Sequence, residues 1–402
     1  MRYGPFADVV LAVECCASTV AKHSESQAKS RVGVNTHDVW VEVDLEALKH
    51  NLKQVRSILA DGVKIMAVVK GNGFGHGYVE PSRAFLEAGA DALAVTRLEE
   101  ALPIRTAGIT APILLFAPVQ PANVDVAVEA DLDLTVTTVR ALRIVAEAAK
   151  RQGRKARIHI KVDTGMGRLG AAPEEVPSVV QAAVDFPNVE LAGIYTHFAT
   201  AAEADILPAF RQLGLFVRLV EALKEMGFNI GLVHAANSAA IIRMPNSHLD
   251  MVRPGTLLYG QYPSRHVPHR LDLRPTWTLK ARICEVKNIP AGSSIGYGAE
   301  YVAKRPMRVA VVPVGYADGF TLVPEGPIYR QSLFKFAAKK MRRPLALKVR
   351  EQAAPVLGRV AMQMTVIDVT GIGGIEVGDE VVVPALRIPT SALIPRVYPK
   401  GN

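Results

Sequence analysis

From Lys64 to Gly260, short apolar runs alternate with amphipathic stretches. The runs are KIMAVVK, ALAVT, PILLFA, LDLTVT, RIHIKVD, VELAGIYTHF, GLVHAAN and LDMVRPGTLLYG. Between most of them lie segments such as VRALRIVAEAAKRQG and FRQLGLFVRLVEALKEMG, whose apolar residues recur at helical spacing. Continuous apolar strands separated by helices imply parallel pairing with both faces covered. Eight such units predict a closed (β/α)8 barrel of the TIM type. After about Pro275 the texture changes. TLKARICEVKNI, MRVAVVPVG, PVLGRVAM, TVIDVT and GDEVVVP are β-rich, with Gly and Pro between them and little helical period. They predict a C-terminal, mainly antiparallel β domain. VWVEVDL (Val39 to Leu45) precedes the first barrel helix and is expected to pair with that domain. The expected division is an extension over 1–37, a barrel over 38–272 and a β domain over 273–402. A chain of 402 residues suits two domains better than one.

Composition narrows the class. The chain is 49% apolar, enough for a sizeable core, yet nowhere reaches the ~18 uninterrupted apolar residues of a spanning helix. Its three cysteines, Cys15, Cys16 and Cys284, show neither metal-ligand spacing nor a disulfide framework. That fits a reducing, cytoplasmic setting and a chain without a metal. DVVLAVECCASTV near the start is moderately apolar, but Asp8 and Glu14 interrupt it, so it reads as a disordered extension and not an export signal. The net charge is +9, and seven Lys or Arg with no Asp or Glu fall between Lys335 and Arg350. Only Phe336 accompanies them, so they read as a solvated surface insertion and not a nucleic-acid patch.

Barrel enzymes build their sites at the C-terminal ends of strands. Lys70 ends the first run, and Asp163 ends the fifth, followed by TGMGRLG with Arg168. His197 nearly ends the sixth, Asn237 and Ser238 end the seventh, and Arg253 lies in the eighth before Gly255 and Thr256. Each has an ordinary explanation alone; a lone histidine is more often a satisfied core residue than a catalyst. Together they mark one end of the barrel. A lysine in apolar surroundings is desolvated, which lowers its pKa and makes its amine nucleophilic, as Schiff-base chemistry requires. Gly71, Gly73, Gly75 and Gly77 let the backbone after it pass close to a bound group. Ser238 with the Gly255 and Thr256 amides would form the phosphate cup usual after strands seven and eight. A Schiff-base lysine facing a phosphate cup is what pyridoxal 5'-phosphate needs.

AVVKGNGFGHG, KVDTGMGRLG, THFAT, HAANSAA, MVRPGTLLYG, GYGAEY, VPVGYADGF and GRVAM stand in that order. With them the chain resembles the alanine racemase family from about Val39 to Tyr398. The resemblance implies that Lys70 carries the cofactor and that Arg253 sits at its pyridine nitrogen. Arginine is effectively never deprotonated, so it keeps the cofactor a weaker electron sink and favours racemisation over transamination. His197 is implied beside the ring, hydrogen-bonded to Arg253. Arg168 is implied to hold the substrate carboxylate and the catalytic phenol, and Lys161 aligns with a lysine often carbamylated in the family. Met362 is kept near the substrate. Racemisation needs a base on each face, and Tyr297 matches the family's tyrosine base, which enters the barrel of the partner subunit in a homodimer.

The sequence departs from that pattern in several places. Phe74 stands where a phosphate-binding tyrosine is usual, and Pro384 lies near the place of a second. Ala361 and Gln363 replace the usual cysteine and aspartate, Ala202 replaces a usual aspartate, and the stretch from Thr321 to Pro355 is longer than usual. These changes bear on phosphate affinity and on the approach for substrate. The expected function is alanine racemisation supplying D-alanine for peptidoglycan. A serine or broad-specificity racemase and a non-catalytic cofactor-binding protein are the alternatives. A decarboxylase fits less well, because Arg253 stands where an acidic residue would keep the ring protonated.

Overall fold

A computed structural model of the chain describes residues 35–321 and 345–399. Strand β1 (Val39–Val43) comes first. Eight strands among the described residues then close a parallel barrel in chain order: β2 (Lys64–Val68), β3 (Ala92–Val95), β4 (Ile113–Leu115), β5 (Asp133–Val136), β6 (Ala156–Lys161), β7 (Val189–Tyr195), β8 (Leu232–Asn237) and β9 (Met251–Arg253). Every residue of β3, β4 and β5 is buried, as strands covered on both faces should be. The helix Val139–Arg151 shows how the outer ring is specified. The Thr138 side chain accepts from the Ala141 amide at 3.1 Å, and Leu142, Val145, Ala146 and Ala149 bury one stripe. Lys150 and Arg151 occupy its last turn, where positive charge suits the helix dipole.

The remaining strands are β10 (Trp277–Arg282), β11 (Glu285–Ile289), β12 (Ser294–Ile295), β13 (Tyr301–Val302), β14 (Met307–Val312), β15 (Ala346–Val349), β16 (Gln352–Leu357), β17 (Thr365–Asp368), β18 (Glu380–Val383) and β19 (Arg396–Val397). A nine-stranded sheet runs in the order β11-β14-β17-β16-β15-β18-β10-β1-β19, and β12 with β13 forms a separate ribbon. β1 pairs antiparallel with β10, Val39 opposite Ala281 and Val43 opposite Trp277, and parallel with β19. The first strand of the span assigned to the barrel therefore lies in the sheet, joined to both its start and its end. The expected N-terminal extension falls outside the described residues, apart from its last three. So does most of the basic stretch; Lys348 and Arg350, which are described, pair with Glu351 and Asp379.

The sheet sits against the barrel through specific contacts. Asn51, fully buried, donates to the carbonyls of Leu258 and Arg274 and accepts from the Arg274 amide. Arg387 reaches from the loop after β18 to the Tyr259 carbonyl at 2.8 Å. Among the described residues, no helix is long and apolar enough to cross a membrane, and no group of three or more His, Cys, Asp or Glu could hold a metal ion.

Candidate active site

The glycines after Lys70 serve a left-handed turn. Gly71, Asn72, Gly73 and Phe74 have φ of 63°, 55°, 57° and 52° in succession. That conformation costs a residue with a side chain about 1–2 kcal/mol, so Asn72 and Phe74 need compensation. Glu100 supplies part of it. This buried carboxylate accepts from the amides of Gly71 (2.8 Å), Thr96 (2.8 Å) and Arg97 (3.1 Å). The sheet supplies the rest. Trp277 Nε1 and Arg396 Nε donate to the Gly75 carbonyl at 3.2 and 3.1 Å, and the Tyr398 hydroxyl donates to the His76 carbonyl at 2.8 Å. A Cβ on Gly75 would stand 2.4 Å from the Arg387 carbonyl oxygen, so only glycine admits that approach. His76, fully buried, spans the Gly73 carbonyl and the Thr276 hydroxyl. Burial first, then the Arg387 charge, lowers its pKa to about 3.

Lys70 faces a cavity of about 460 Å³ at the C-terminal ends of the strands. Phe74, Lys161, Arg168, His197, Asn237, Ser238, Arg253, Gly255 and Thr256 line it as well, so ten of the residues picked out in the sequence meet there. Four of the ten are cations, which makes the space a receptor for anions. Burial, then the Arg168 charge, holds the Lys70 amine below the ordinary lysine range, with Glu100 pulling the other way. Lys161 is lowered to about 8 by burial and by Arg168 and Arg253. A substantial share of that amine is neutral near pH 8, the form that reacts with carbon dioxide. His197 is lowered to about 3 by burial and by Arg253, so it is neutral at physiological pH. Arg168 is carried on the loop after β6. Asp163 holds that loop by accepting from the Gly165, Met166 and Gly167 amides at 2.8–3.1 Å, and does not itself line the cavity.

The residues expected to form a phosphate cup are arranged differently in detail from that expectation. Ser238 Oγ accepts from the Gly255 amide at 2.9 Å and the Leu257 amide at 3.4 Å. Its hydroxyl hydrogen remains to donate into the cavity, whereas the Gly255 amide is already engaged. The Asn237 side-chain oxygen caps the helix Ser238–Arg243 by accepting from Ala239 and Ala240. The Phe74 ring stacks on Tyr259 at 4.6 Å and comes within 3.1 Å of where a Gly255 Cβ would stand. Pro384 is exposed and does not line the cavity; Ala202 does.

Arg253 is 3% exposed and ends β9. Its Nη2 donates to the Thr196 and Ala235 carbonyls at 2.6 and 3.0 Å, and its Nη1 donates to His234 Nδ1 at 2.7 Å. The histidine bonded to Arg253 is thus His234, within β8, and not His197. The reason is placement: His197 lies two residues past the end of β7, in the mouth, while the guanidinium points into the barrel. Burial lowers Arg253 to about 10, which leaves it charged at neutral pH. Tyr195 stacks on His234 at 4.9 Å with planes 8° apart, and its hydroxyl meets Thr135 Oγ1 at 2.8 Å. Glu100, His76, Tyr195 and His234 were not singled out in the sequence. For His234 a signal existed, a histidine inside an apolar strand run.

Tyr297 and Met362 are elsewhere. Tyr297 opens the turn between β12 and β13 and is 70% exposed; Met362 is 59% exposed. Neither lines the cavity of its own chain.

Known proteins share this arrangement. The family profile for the alanine racemase N-terminal domain matches residues 43–263, and that for the C-terminal domain matches 276–392. An alanine racemase of Methanococcus maripaludis is 41% identical over 87% of this chain and 89% of its own. Alanine racemase 2 of Caldanaerobacter subterraneus is 40% identical over 85% and 84%. A solved alanine racemase of Clostridium difficile superposes with a TM-score of 0.83 at 31% identity, over 91% of this chain and 97% of that one. By profile, by sequence and by fold, the chain belongs to the alanine racemase family.

Proposed function

We propose that this protein interconverts L-alanine and D-alanine with pyridoxal 5'-phosphate, in the cytoplasm, and so furnishes D-alanine for peptidoglycan. The observation that carries the reading is the cavity: a desolvated lysine, an arginine locked in place and a serine hydroxyl converge on one space rich in cations. Those donors fit the group. Lys70 would hold it covalently, Ser238 and Thr256 would bind its phosphate, and Arg253 would meet its ring nitrogen. When bound, the cofactor supplies an electron sink that acidifies the Cα–H of an amino acid. Lys70 Nζ then takes or returns the proton on one face. Arg253, a donor that keeps its proton, limits how far the sink draws charge, which favours return of the proton to Cα. Arg168 orients the carboxylate, and Lys161 stands beside it, within reach of carbamylation.

The second face needs another base. Tyr297 supports a homodimer in which its hydroxyl, with Met362, enters the partner's cavity, because in its own chain it faces solvent, and the phenol that does line its own cavity, Tyr195, is buried with its hydroxyl engaged by Thr135. The test is a D-amino-acid assay over a panel of L-amino acids with added cofactor. Racemisation of alanine above all others supports the reading. Preference for serine, or comparable turnover of many amino acids, moves it to the alternative that the altered approach (Ala202, Ala361, Gln363) suggests. Cofactor uptake without turnover of any amino acid would mean a binding protein.

A further inference from the structure

The bond between Arg253 and His234 is the upper end of a longer chain. His234 Nε2 lies 2.9 Å from His159 Nδ1, and His159 Nε2 lies 3.5 Å from Asp133 Oδ2. Asp133 Oδ1 in turn accepts from Arg157 Nε at 2.7 Å. Asp133, His159, His234 and Arg253 are 4%, 2%, 0% and 3% exposed, so water does not complete this line. It begins at the first residue of β5, crosses β6 and β8, and ends at the last residue of β9. The barrel is built to let it pass. His159 pairs across β6 and β7 with Gly193, where a Cβ would stand 2.6 Å from His159 Nδ1. Any larger residue at Gly193 would push the imidazole away from His234.

The donors leave one assignment. A guanidinium donates and never accepts, so His234 Nδ1 is bare and accepts from Arg253. His234 therefore carries its proton on Nε2 and gives it to His159 Nδ1, which must be bare in its turn. His159 then holds its proton on Nε2, facing the Asp133 carboxylate. A second proton on either ring would set N–H against N–H. We infer that Asp133 and His159 are positioning residues for Arg253: the carboxylate at the foot of the barrel fixes one tautomer in both imidazoles and so aims the His234 lone pair at Nη1. Three of the five guanidinium N–H groups are spent on His234, Thr196 and Ala235, leaving Nε–H and one Nη1–H. The direction those two take is set by the chain beneath them. Burial and the Arg253 charge also keep His234 neutral, far below an ordinary histidine.

The test uses full-length protein labelled with 15N at histidine, first without added cofactor. The His234 ring is expected to be neutral, bare at Nδ1 and protonated at Nε2, unchanged from pH 8 to pH 5.5, with His159 bare at Nδ1 as its acceptor. His159→Leu removes the acceptor for His234 Nε2–H; the His234 ring signals should then shift or broaden. His159→Gln, whose amide oxygen can accept that proton, should restore them. On loaded enzyme, His159→Leu should lower kcat about tenfold with little change in KM, in the range of the cost of leaving one buried donor unsatisfied, and His159→Gln should recover most of it. A doubly protonated His234 in the wild type, or one protonated at Nδ1, overturns the inference even if no variant folds. So does a His159→Leu protein with unaltered His234 signals and kcat. The kinetic arm rests on the proposed racemase activity and the resonance arm does not, so the two can fail separately.

Discussion

Lys70 and Tyr297, the two proposed proton carriers, sit in opposite circumstances. Lys70 stands on a left-handed turn gripped by Glu100 from the barrel and by Trp277, Arg396 and Tyr398 from the sheet region. Tyr297 stands on a short turn beyond a two-stranded ribbon, 70% exposed. One face of the site is complete within a chain. The other is displayed outward, with Met362 nearly as open. An exposed large aromatic is unremarkable alone, but here it is the residue proposed as the second base, and it does not line the cavity of its own chain. The difference teaches that folding prepares the lysine side, whereas the tyrosine side, on the reading proposed above, is left for association to complete.

If that contrast is right, damage to the two sides should read out differently. Tyr297→Phe should lower racemisation in both directions by about 10²–10⁴-fold, the usual worth of a general acid or base, with no change in the denaturant midpoint. A large loss of stability would mean that Tyr297 is structural. Glu100→Gln should do the reverse. It takes one charged acceptor from the turn's amides, so stability should fall by about 1.5–3 kcal/mol in urea titration and cofactor uptake should weaken. Unchanged stability would show that the turn stands without Glu100.

Acid should also act on the buried side. The folded pKa of His76 is about 3 against an ordinary 6.5. The unfolded chain therefore binds the extra proton first, and stability falls as pH drops below 6.5 and keeps falling towards 3. At pH 5 this one residue costs about 2 kcal/mol. His76→Gln should flatten that slope, and Tyr297→Phe should leave it untouched. A profile that is the same in His76→Gln and wild type would assign the acid sensitivity elsewhere. The smallest effect concerns the cup. Phe74→Tyr adds a hydroxyl beside Gly255 and Ser238 and should tighten cofactor binding by about 1 kcal/mol, roughly fivefold. Unchanged or weaker binding would mean that the phosphate is held in another way.

How much of this could be read from the chain varies with distance along it. The barrel strands are local apolar runs; Lys70 is legible because it ends one and Arg253 because it lies in another, whereas Lys161 is picked out only by the family resemblance. The glycines after Lys70 announced an unusual backbone, but not that Arg387 and Tyr398, over three hundred residues on, would press against Gly75 and Gly77. Glu100 reads as an ordinary acidic residue in a helix's first turn until Gly71 is folded against it. The exchange of His197 for His234 has the same origin. In the sequence His197 lies near a strand end and His234 inside the next apolar run, and only the closed barrel shows which one faces the guanidinium. Ser238 was expected to share the phosphate with the Gly255 amide; the direct bond between the two is a contact that spacing alone does not fix.

The proposed division of one site between two chains is tested most directly by complementation. Lys70→Ala and Tyr297→Phe chains, each inactive alone, are mixed under conditions that exchange subunits, and differently tagged chains are co-purified to count mixed dimers. In a mixed two-fold dimer one site carries both lesions and the other neither, so equal mixing should restore about a quarter of wild-type racemisation. No activity, despite demonstrated mixed dimers, would contradict a tyrosine acting across the interface.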